Sequence, residues 1–464
     1  MAAVVSDADR HYSALTRDAP IGLAGHVTGT LYLESMPRQK GAAAQGALFA
    51  LAPPVTQSTT FANNMALPVH RWFRYSAGFS AGWAQELVTR FDGRRVLDPF
   101  GGSGTTLLAA QSAGAESIGV DVHPFVARIA KAKLLWNQDP ARLRDRSAKL
   151  LEAANAIESN IDPSGASELT LKVFPYESLR TLLSLRFALP QVVAHDEVDE
   201  LLWLAIVAIL RRCSPVGTAQ WQYVLPNKSK AKVAEPVEAF RQQIELMATD
   251  MQTRRVELSS PAAALFSESD IRSTADVPDG WADLVVTSPP YANNFDYADA
   301  TRLEMTFMGE ITGWGDLKPL REKLVRSCSQ QMVRYQAEDV LESAEELEPF
   351  RDEIKKTYTQ LDEIRLTKGG RKAYHSMIVA YFHDMGQTWK QLRAMTSRGA
   401  NVCFVVGDSA PYGIHVPVDR WLGEQALAAG FRDYEFEKVR DRNVKWENRK
   451  HRVPLHEGRL WVKG

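Results

Sequence analysis

The chain has 464 residues, 45% of them apolar and 24% charged, with a formal net charge of −1. That is the profile of a globular protein with one elaborated domain or two to three smaller ones, without repeats or low-complexity tracts. Near-neutrality means that any contact with phosphates must come from local basic patches. No apolar run is long enough to cross a membrane, so no membrane partner is expected. The start, Met1 to Asp9, is small and acidic, unlike a signal peptide. Cys213, Cys328 and Cys403 lie far apart and match no zinc spacing, so no metal site is expected; they fit a reducing cytoplasm, where we place the chain.

Residues 1–56 read as an N-terminal leader rich in Ala and Gly, with one strand expected near Thr28 to Leu33. Residues 57–136 read as a compact unit. Ser80 is positioned to cap a helix through Trp83, Leu87 and Val88, and a strand follows at Arg95 to Leu97. A glycine loop then leads into a helix through Leu107, Leu108 and Ala110, which Gly114 stops, and a second strand, Ser117 to Val120, runs into Asp121. Strand, helix and strand at this spacing form a parallel α/β unit. Residues 137–262 break the rhythm. They are mostly helical by period, as at Val198 to Leu210, and read as an insertion that is a candidate for target recognition. Within it, Trp221 to Lys232 reads as a loop carrying Lys228, Lys230 and Lys232. The α/β pattern resumes in 263–312 with a strand, Asp283 to Thr287, and pauses in a charged insertion, 313–372, that includes Glu342 to Glu348. Residues 373–464 complete it with a helix (Ser376 to Met395), a strand (Asn401 to Val406), a helix (Arg420 to Ala429) and strands near Tyr434 to Val439 and Arg459 to Val462.

Two loops at strand ends carry the chemistry. The first is Asp98-Pro99-Phe100-Gly101-Gly102-Ser103-Gly104-Thr105-Thr106. Gly101, Gly102 and Gly104 let the backbone approach a ligand, and the helix that follows aims its N–H groups and positive dipole end at the same place. Asp98 could accept from a charged ammonium, and Asp121, at the end of the next strand, stands where an acid that binds ribose hydroxyls is expected. The loop matches neither the dinucleotide fingerprint Gly-x-Gly-x-x-Gly nor the phosphate loop ending in Gly-Lys-Ser/Thr.

The second loop is Ser288-Pro289-Pro290-Tyr291, after Leu284-Val285-Val286-Thr287. An exocyclic amine on a base is a poor nucleophile, because its lone pair is delocalised into the ring. A site must accept hydrogen bonds from that amine, hold the ring flat and bring sulfur, methyl and nitrogen into line. Pro289 and Pro290 fix the backbone and remove two donors, leaving carbonyls to point into a pocket. The Ser288 hydroxyl and the Pro289 carbonyl would accept from the amine, and Tyr291 would stack on the ring. The base would have to leave the duplex to reach them, and no strong general base is required, since the proton can depart after transfer.

Asp98 to Thr106 resembles motif I of the S-adenosylmethionine-dependent DNA methyltransferases that modify exocyclic amines, and Val120-Asp121-Val122-His123-Pro124 resembles their motif II. His70-Arg71-Trp72-Phe73 and Gly78-Phe79-Ser80 resemble motif X, which closes over the methionine part of the cofactor; Ser288 to Tyr291 is similar to motif IV. Asp270 falls where the third motif would contact the cofactor adenine. The resemblance covers most of 70–310 outside the insertion and, more weakly, 374–464. It implies a Rossmann-like methyltransferase fold with a mainly parallel seven-stranded sheet plus a helical insertion. It also implies S-adenosylmethionine as cofactor and DNA as partner, in a restriction–modification or related genome-marking system where a cognate restriction or defence nuclease would act alongside. Ser at the first position of motif IV leans towards cytosine N4, whereas Asp or Asn there leans towards adenine N6. The chain departs from the family in its long insert before motif III and in having no separate target-recognition domain after the catalytic part.

Lys438 to Arg452 gathers Arg440, Arg442, Lys445 and Arg449 around Trp446, the composition of a basic hairpin that touches phosphates and bases. Lys228 and Lys230, near Trp221 and Tyr223, form a second candidate patch, and Lys318, Arg321, Lys323 and Arg326 a third. The readings that compete with cytosine-N4 transfer are adenine-N6 transfer on DNA, methylation of a structured RNA base, and DNA binding without turnover.

Overall fold

The structure, a computed structural model, describes residues 61–464 except 76, 219–223, 231, 274–275, 333–334, 370–371 and 443–452. The leader and its strand near Thr28 to Leu33 lie outside the described residues.

Seven strands form one sheet in the order β5-β2-β1-β6-β7-β9-β8, and two form a separate hairpin, β3-β4. In chain order they are β1 (Arg95–Asp98), β2 (Glu116–Val120), β3 (Val216–Thr218), β4 (Val224–Ser229), β5 (Ala264–Ser267), β6 (Ala282–Thr287), β7 (Thr396–Gly407), β8 (Asp433–Arg442) and β9 (Leu455–Lys463). The five strands from β5 to β7 run parallel, and β9 pairs antiparallel with both β7 and β8. The central strands are near-continuous apolar runs because both faces are covered: Val96, Leu97, Leu284, Val285 and Val286 are all 0% exposed. This is the α/β Rossmann-like arrangement that the motifs imply.

Register positions the site. Leu97 pairs with Val285 across β1 and β6, and Leu97 pairs with Ile118 across β1 and β2. The loops after β1, β2 and β6 therefore leave the same sheet edge side by side, at the carboxyl ends where open α/β sheets bind ligands. β8 runs in the direction of β7, so Arg442 at its end and Leu455 at the start of β9 come to this edge too.

Two cores hold the sheet. One packs β1, β6 and β7 against the helices Tyr374–Met395 and Val418–Ala428, through residues such as Val285, Phe404, Phe382 and Trp421. The charged segment 313–372 joins it: Phe350 stacks on Trp421 with ring centroids 4.8 Å apart, and Leu347, Ile354 and Leu361 are buried there. The other core is built by the helix Pro124–Leu134 with the inserted helices Pro140–Glu158, Tyr176–Val192, Glu197–Cys213 and Pro236–Glu257. The insertion thus packs on the 57–136 unit instead of standing apart from it.

Two local expectations are corrected. Part of the expected loop from Trp221 to Lys232 is strand β4, paired with β3. Pro226, Asn227 and Lys228 conceal it, since they are poor strand residues; a two-stranded hairpin tolerates them because each strand keeps a free outer edge. The strand β5 went unread between the insertion and β6. It has only four residues and lies at the sheet edge, with Leu265 64% exposed, so neither alternation nor a buried apolar run marks it.

Candidate active site

The loops after β1, β2 and β6 open into one cleft. Pro99, Phe100, Gly101, Gly102, Ser103 and Thr105 line one wall, with Asp121, Val122 and His123 beside them. Ser288 and Pro290 line it from the second loop, with Tyr297 behind, and Ala77, Gly78 and Phe79 close one end. Ser269, Asp270 and Ile271 face Lys323, Leu324 and Val325 at the other.

The glycine loop is shaped by two left-handed residues, Gly102 (φ 48°) and Gly104 (φ 83°), a conformation that side chains rarely adopt. Gly104 also lies against Ala130, where an added Cβ would stand 3.3 Å from the alanine methyl. The turn is tied across the cleft: the Gly102 N–H donates to Asp121 Oδ2 at 3.0 Å, and the His123 N–H donates to Oδ1 at 2.9 Å. Burial pushes the Asp121 carboxyl up to about 6, and these two N–H donors oppose the rise.

Asp98 has a different place from the one expected of an ammonium acceptor. It is 1% exposed and does not line the cleft. Its Oδ1 accepts from Thr287 Oγ1 at 2.6 Å and from the Phe100 N–H at 3.1 Å, while Thr106 Oγ1 donates to Oδ2. The carboxylate therefore bolts the end of β1 to the end of β6 and to the following helix, and burial raises its pKa to about 6. The physical reason is direction: alternation along β1 turns this side chain into the sheet, while the loop's backbone turns to the cleft.

Asp270 lines the cleft, but its carboxylate is held by Arg272, with Nε 2.9 Å from Oδ1 and a terminal nitrogen 2.7 Å from Oδ2; Arg272 also reaches Asp384 at 2.8 Å. Phe79 lines the cleft and meets Trp83 edge-on, centroids 5.5 Å apart. Ser80 caps the helix Ala81–Arg90 by accepting from the Trp83 N–H. Trp72 is a core residue: it is 1% exposed, and its Nε1–H donates to Asp250 Oδ2 at 3.0 Å.

Ser288 Oγ lies 3.5 Å from the Val405 carbonyl, which accepts from it, and Pro289 is buried beneath the loop. The Tyr291 N–H donates to Tyr297 Oη at 3.2 Å, so one cleft-lining phenol braces the second loop. Burial raises both phenols, Tyr297 to about 12. Gly104, Pro289 and Tyr291 belong to the two loops without lining the cofactor cleft itself. Asp408, after β7, does not line it either; its Oδ2 accepts from His415 Nε2 at 2.9 Å and lies 2.9 Å from His456 Nδ1.

Several lining residues were not singled out from the sequence. His123 is 2% exposed with its pKa lowered to about 4 by burial; Thr301 Oγ1 lies 3.0 Å from its Nε2, and its Nδ1 has no hydrogen-bond partner among the described residues. It sits inside the quoted second motif, and Tyr75 between the two halves of the motif-X segment, so proximity could have flagged both. Leu324 and Val325 carried no signal, because only the fold brings the charged segment to this cleft; Lys323, expected in the third basic patch, lines the cleft beside them.

The basic residues separate. Arg440 is half exposed and pairs with Glu457 at 2.8 Å. Arg442 lies over the Tyr291 ring, its guanidinium carbon 5.6 Å from the centroid. Lys445 and Arg449 lie outside the described residues, and Lys228 stands in β4. Lys230 is not a free patch: its Nζ donates to the Arg211 carbonyl at 2.6 Å, satisfying the last turn of the helix Glu197–Cys213, where a cation is favoured. In the third patch Arg321 pairs with Asp296 and Arg326 with Asp384.

The model of the N6/N4 DNA methylase family matches residues 84–132, from the capped helix through the glycine loop and Asp121. Among characterised proteins, the chain is 24% identical over 414 residues to the Type II methyltransferase M.AvaI of a Nostoc species, covering 80% of this chain and 81% of that protein. It is 26% identical over 419 residues to the Type II methyltransferase M.BsoBI of Geobacillus stearothermophilus, covering 81% of each. The Type II methyltransferase M.MvaI of Kocuria varians is 22% identical over 244 residues, 48% of this chain and 53% of that protein. With a cleft formed by both motif loops on a mainly parallel seven-stranded sheet, the chain is similar to the S-adenosylmethionine-dependent amino-methyltransferases of the N4/N6 DNA methylase type.

Proposed function

We propose that the protein transfers a methyl group to cytosine N4 of a specific DNA site, on a base rotated out of the duplex. The supporting observation is that the glycine loop and the Ser288-Pro289-Pro290-Tyr291 loop open into one cleft. The lean to cytosine comes from Ser288 at the first loop position.

The cleft fits the cofactor. It is predominantly apolar with a few convergent polar groups, and the unpartnered Nδ1 of His123 is a buried polar atom at its wall. Asp121 would hold the ribose hydroxyls, the backbone of Gly101 to Ser103 the methionine part, and Phe79 would cover it; Asp270 and Ile271 would border the adenine. Bound there, S-adenosylmethionine supplies a methyl group on a positively charged sulfur.

The chain's own groups do the rest. Ser288 Oγ and the Pro289 carbonyl accept from the amine and turn its lone pair away from the ring. Tyr291 stacks on the base, and the prolines keep the carbonyls in place without reorganisation. The amine proton leaves to solvent after transfer, once the nitrogen has become acidic. Arg440 would contact DNA, because β8 ends and β9 begins at the site edge; Lys445 and Arg449, from the same basic run of the sequence, remain our candidates for that contact. The insertion 137–262 remains our candidate for reading sequence, and a cognate nuclease our candidate partner.

Incubation with tritiated cofactor and unmethylated genomic DNA, followed by digestion to nucleosides, tests the proposal. Label in 4-methylcytosine is expected. Label in 6-methyladenine would move the assignment to adenine, and none on DNA would remove it.

A further inference from the structure

We infer that Arg442 is a positioning residue for the Tyr291 ring and not a phosphate contact, an inference that rests on the reading of Tyr291 as the ring that stacks on the target base. Arg442 is the last residue of β8, in the middle of a basic run, and by sequence it belongs with Arg440 among the DNA-binding cations. The structure separates them. The Arg440 side chain is 48% exposed, whereas that of Arg442 is 19% exposed and turned inward.

Three elements hold the guanidinium. Its NH1 donates to the Asp408 carbonyl at 3.0 Å, at the end of β7. Its Nε lies 3.9 Å from the Glu457 carboxylate, at the start of β9. Its central carbon lies 5.6 Å from the centroid of the Tyr291 ring, within the range of a cation–π contact. β7 is shaped for it: a Cβ added at Gly407 would stand 2.6 Å from NH1, so the glycine leaves the space that the guanidinium fills.

A stacking ring must be in place before the base arrives, or its ordering is charged against the transfer step. The Tyr291 backbone is braced by Tyr297 and its hydroxyl interacts with Ser288, but both hold the ring at its edges and leave its face to the guanidinium. A planar guanidinium anchored to two strand ends fixes that face, and a lysine ammonium, a compact point charge on a flexible stem, does not.

The test compares Arg442→Lys, Arg442→Ala and Arg440→Ala on the full chain, with unmethylated genomic DNA and tritiated S-adenosylmethionine. For a positioning residue, both Arg442 variants lose about 100-fold in single-turnover rate at saturating DNA, the cost of a misplaced group. Their DNA affinity and its salt slope stay as in the wild type, as does cofactor affinity. Arg440→Ala does the reverse, weakening DNA binding with its saturated rate kept. The inference is overturned if Arg442→Lys restores the wild-type rate, or if the Arg442 variants instead lose DNA affinity with a salt slope shallower by about 1, the signature of one phosphate contact. Arg442→Lys keeps the charge, so the comparison holds even if Arg442→Ala loosens the sheet edge. Tyr291→Ala is assayed alongside: wild-type activity there would remove the stacking reading itself, whereas an inactive Tyr291→Ala with fully active Arg442 variants removes only the present inference.

Discussion

At the scale of residues, Asp121 meets two demands at once. Its carboxylate holds the glycine turn open through the Gly102 N–H and, in our reading, accepts from ribose hydroxyls. Because burial lifts its pKa to about 6, it is charged only above that pH. Cofactor affinity should therefore weaken as pH falls through about 6, and Asp121→Asn should bind more weakly with a smaller pH dependence, Asp98 still titrating there; calorimetric titration between pH 5 and 8 checks both. Tyr291 makes the complementary case. Its ring lies outside the cofactor cleft, so Tyr291→Ala should abolish methyl transfer while leaving cofactor affinity within a few-fold. A lost cofactor affinity in that variant would mean that the two loops had been given each other's tasks.

At the scale of elements, the cleft depends on how the segment before the first helix is fastened. Asp250, 1% exposed on the inserted helix Pro236–Glu257, accepts at Oδ2 from the Val69 N–H, Arg71 Nε and Trp72 Nε1–H, each at 3.0 Å. A terminal nitrogen of Arg71 donates to Oδ1. Removing the carboxylate leaves the buried Val69 N–H and Trp72 Nε1–H unsatisfied, at about 1–3 kcal/mol each. Asp250→Ala should lower the urea midpoint accordingly. It should also weaken cofactor binding, because Ala77, Gly78 and Phe79 follow the fastened segment into the cleft. An unchanged cofactor affinity in a destabilised variant would show that this end of the cleft is set locally.

At the scale of the whole molecule, the 57–136 unit carries a buried charge beside the apolar core it shares with the insertion. Lys133 is 2% exposed; its Nζ donates to the His70 carbonyl at 3.2 Å and the Phe73 carbonyl at 3.4 Å. Burial lowers its pKa to about 7 from 10.5. Between those values the unfolded chain binds the proton that the folded chain has released, so stability rises with pH from about 7 towards 10.5 on this group's account. Lys133→Met should remove that component, read as a flatter dependence of the urea midpoint between pH 7 and 9.

What was legible in the sequence is what depends on neighbours along the chain. Gly102 and Gly104, Asp121 at a strand end, the cap at Ser80 and the proline pair before Tyr291 are local requirements of backbone and turn, and the cleft, the parallel order and the family follow from them. What only the tertiary structure decided depends on which way a side chain faces and on what lies far off in sequence. Asp98 reads as a ligand group and is a brace between β1 and β6. Arg440 and Arg442 are two residues apart with the same charge, yet one is half exposed and the other is drawn against the Tyr291 ring. Lys323 to Val325 join the cleft from a segment with no motif. Strand alternation and strand pairing set these outcomes, and neither is written in the identity of a residue: the carboxylate and the guanidinium acquire their tasks from the strand ends they meet.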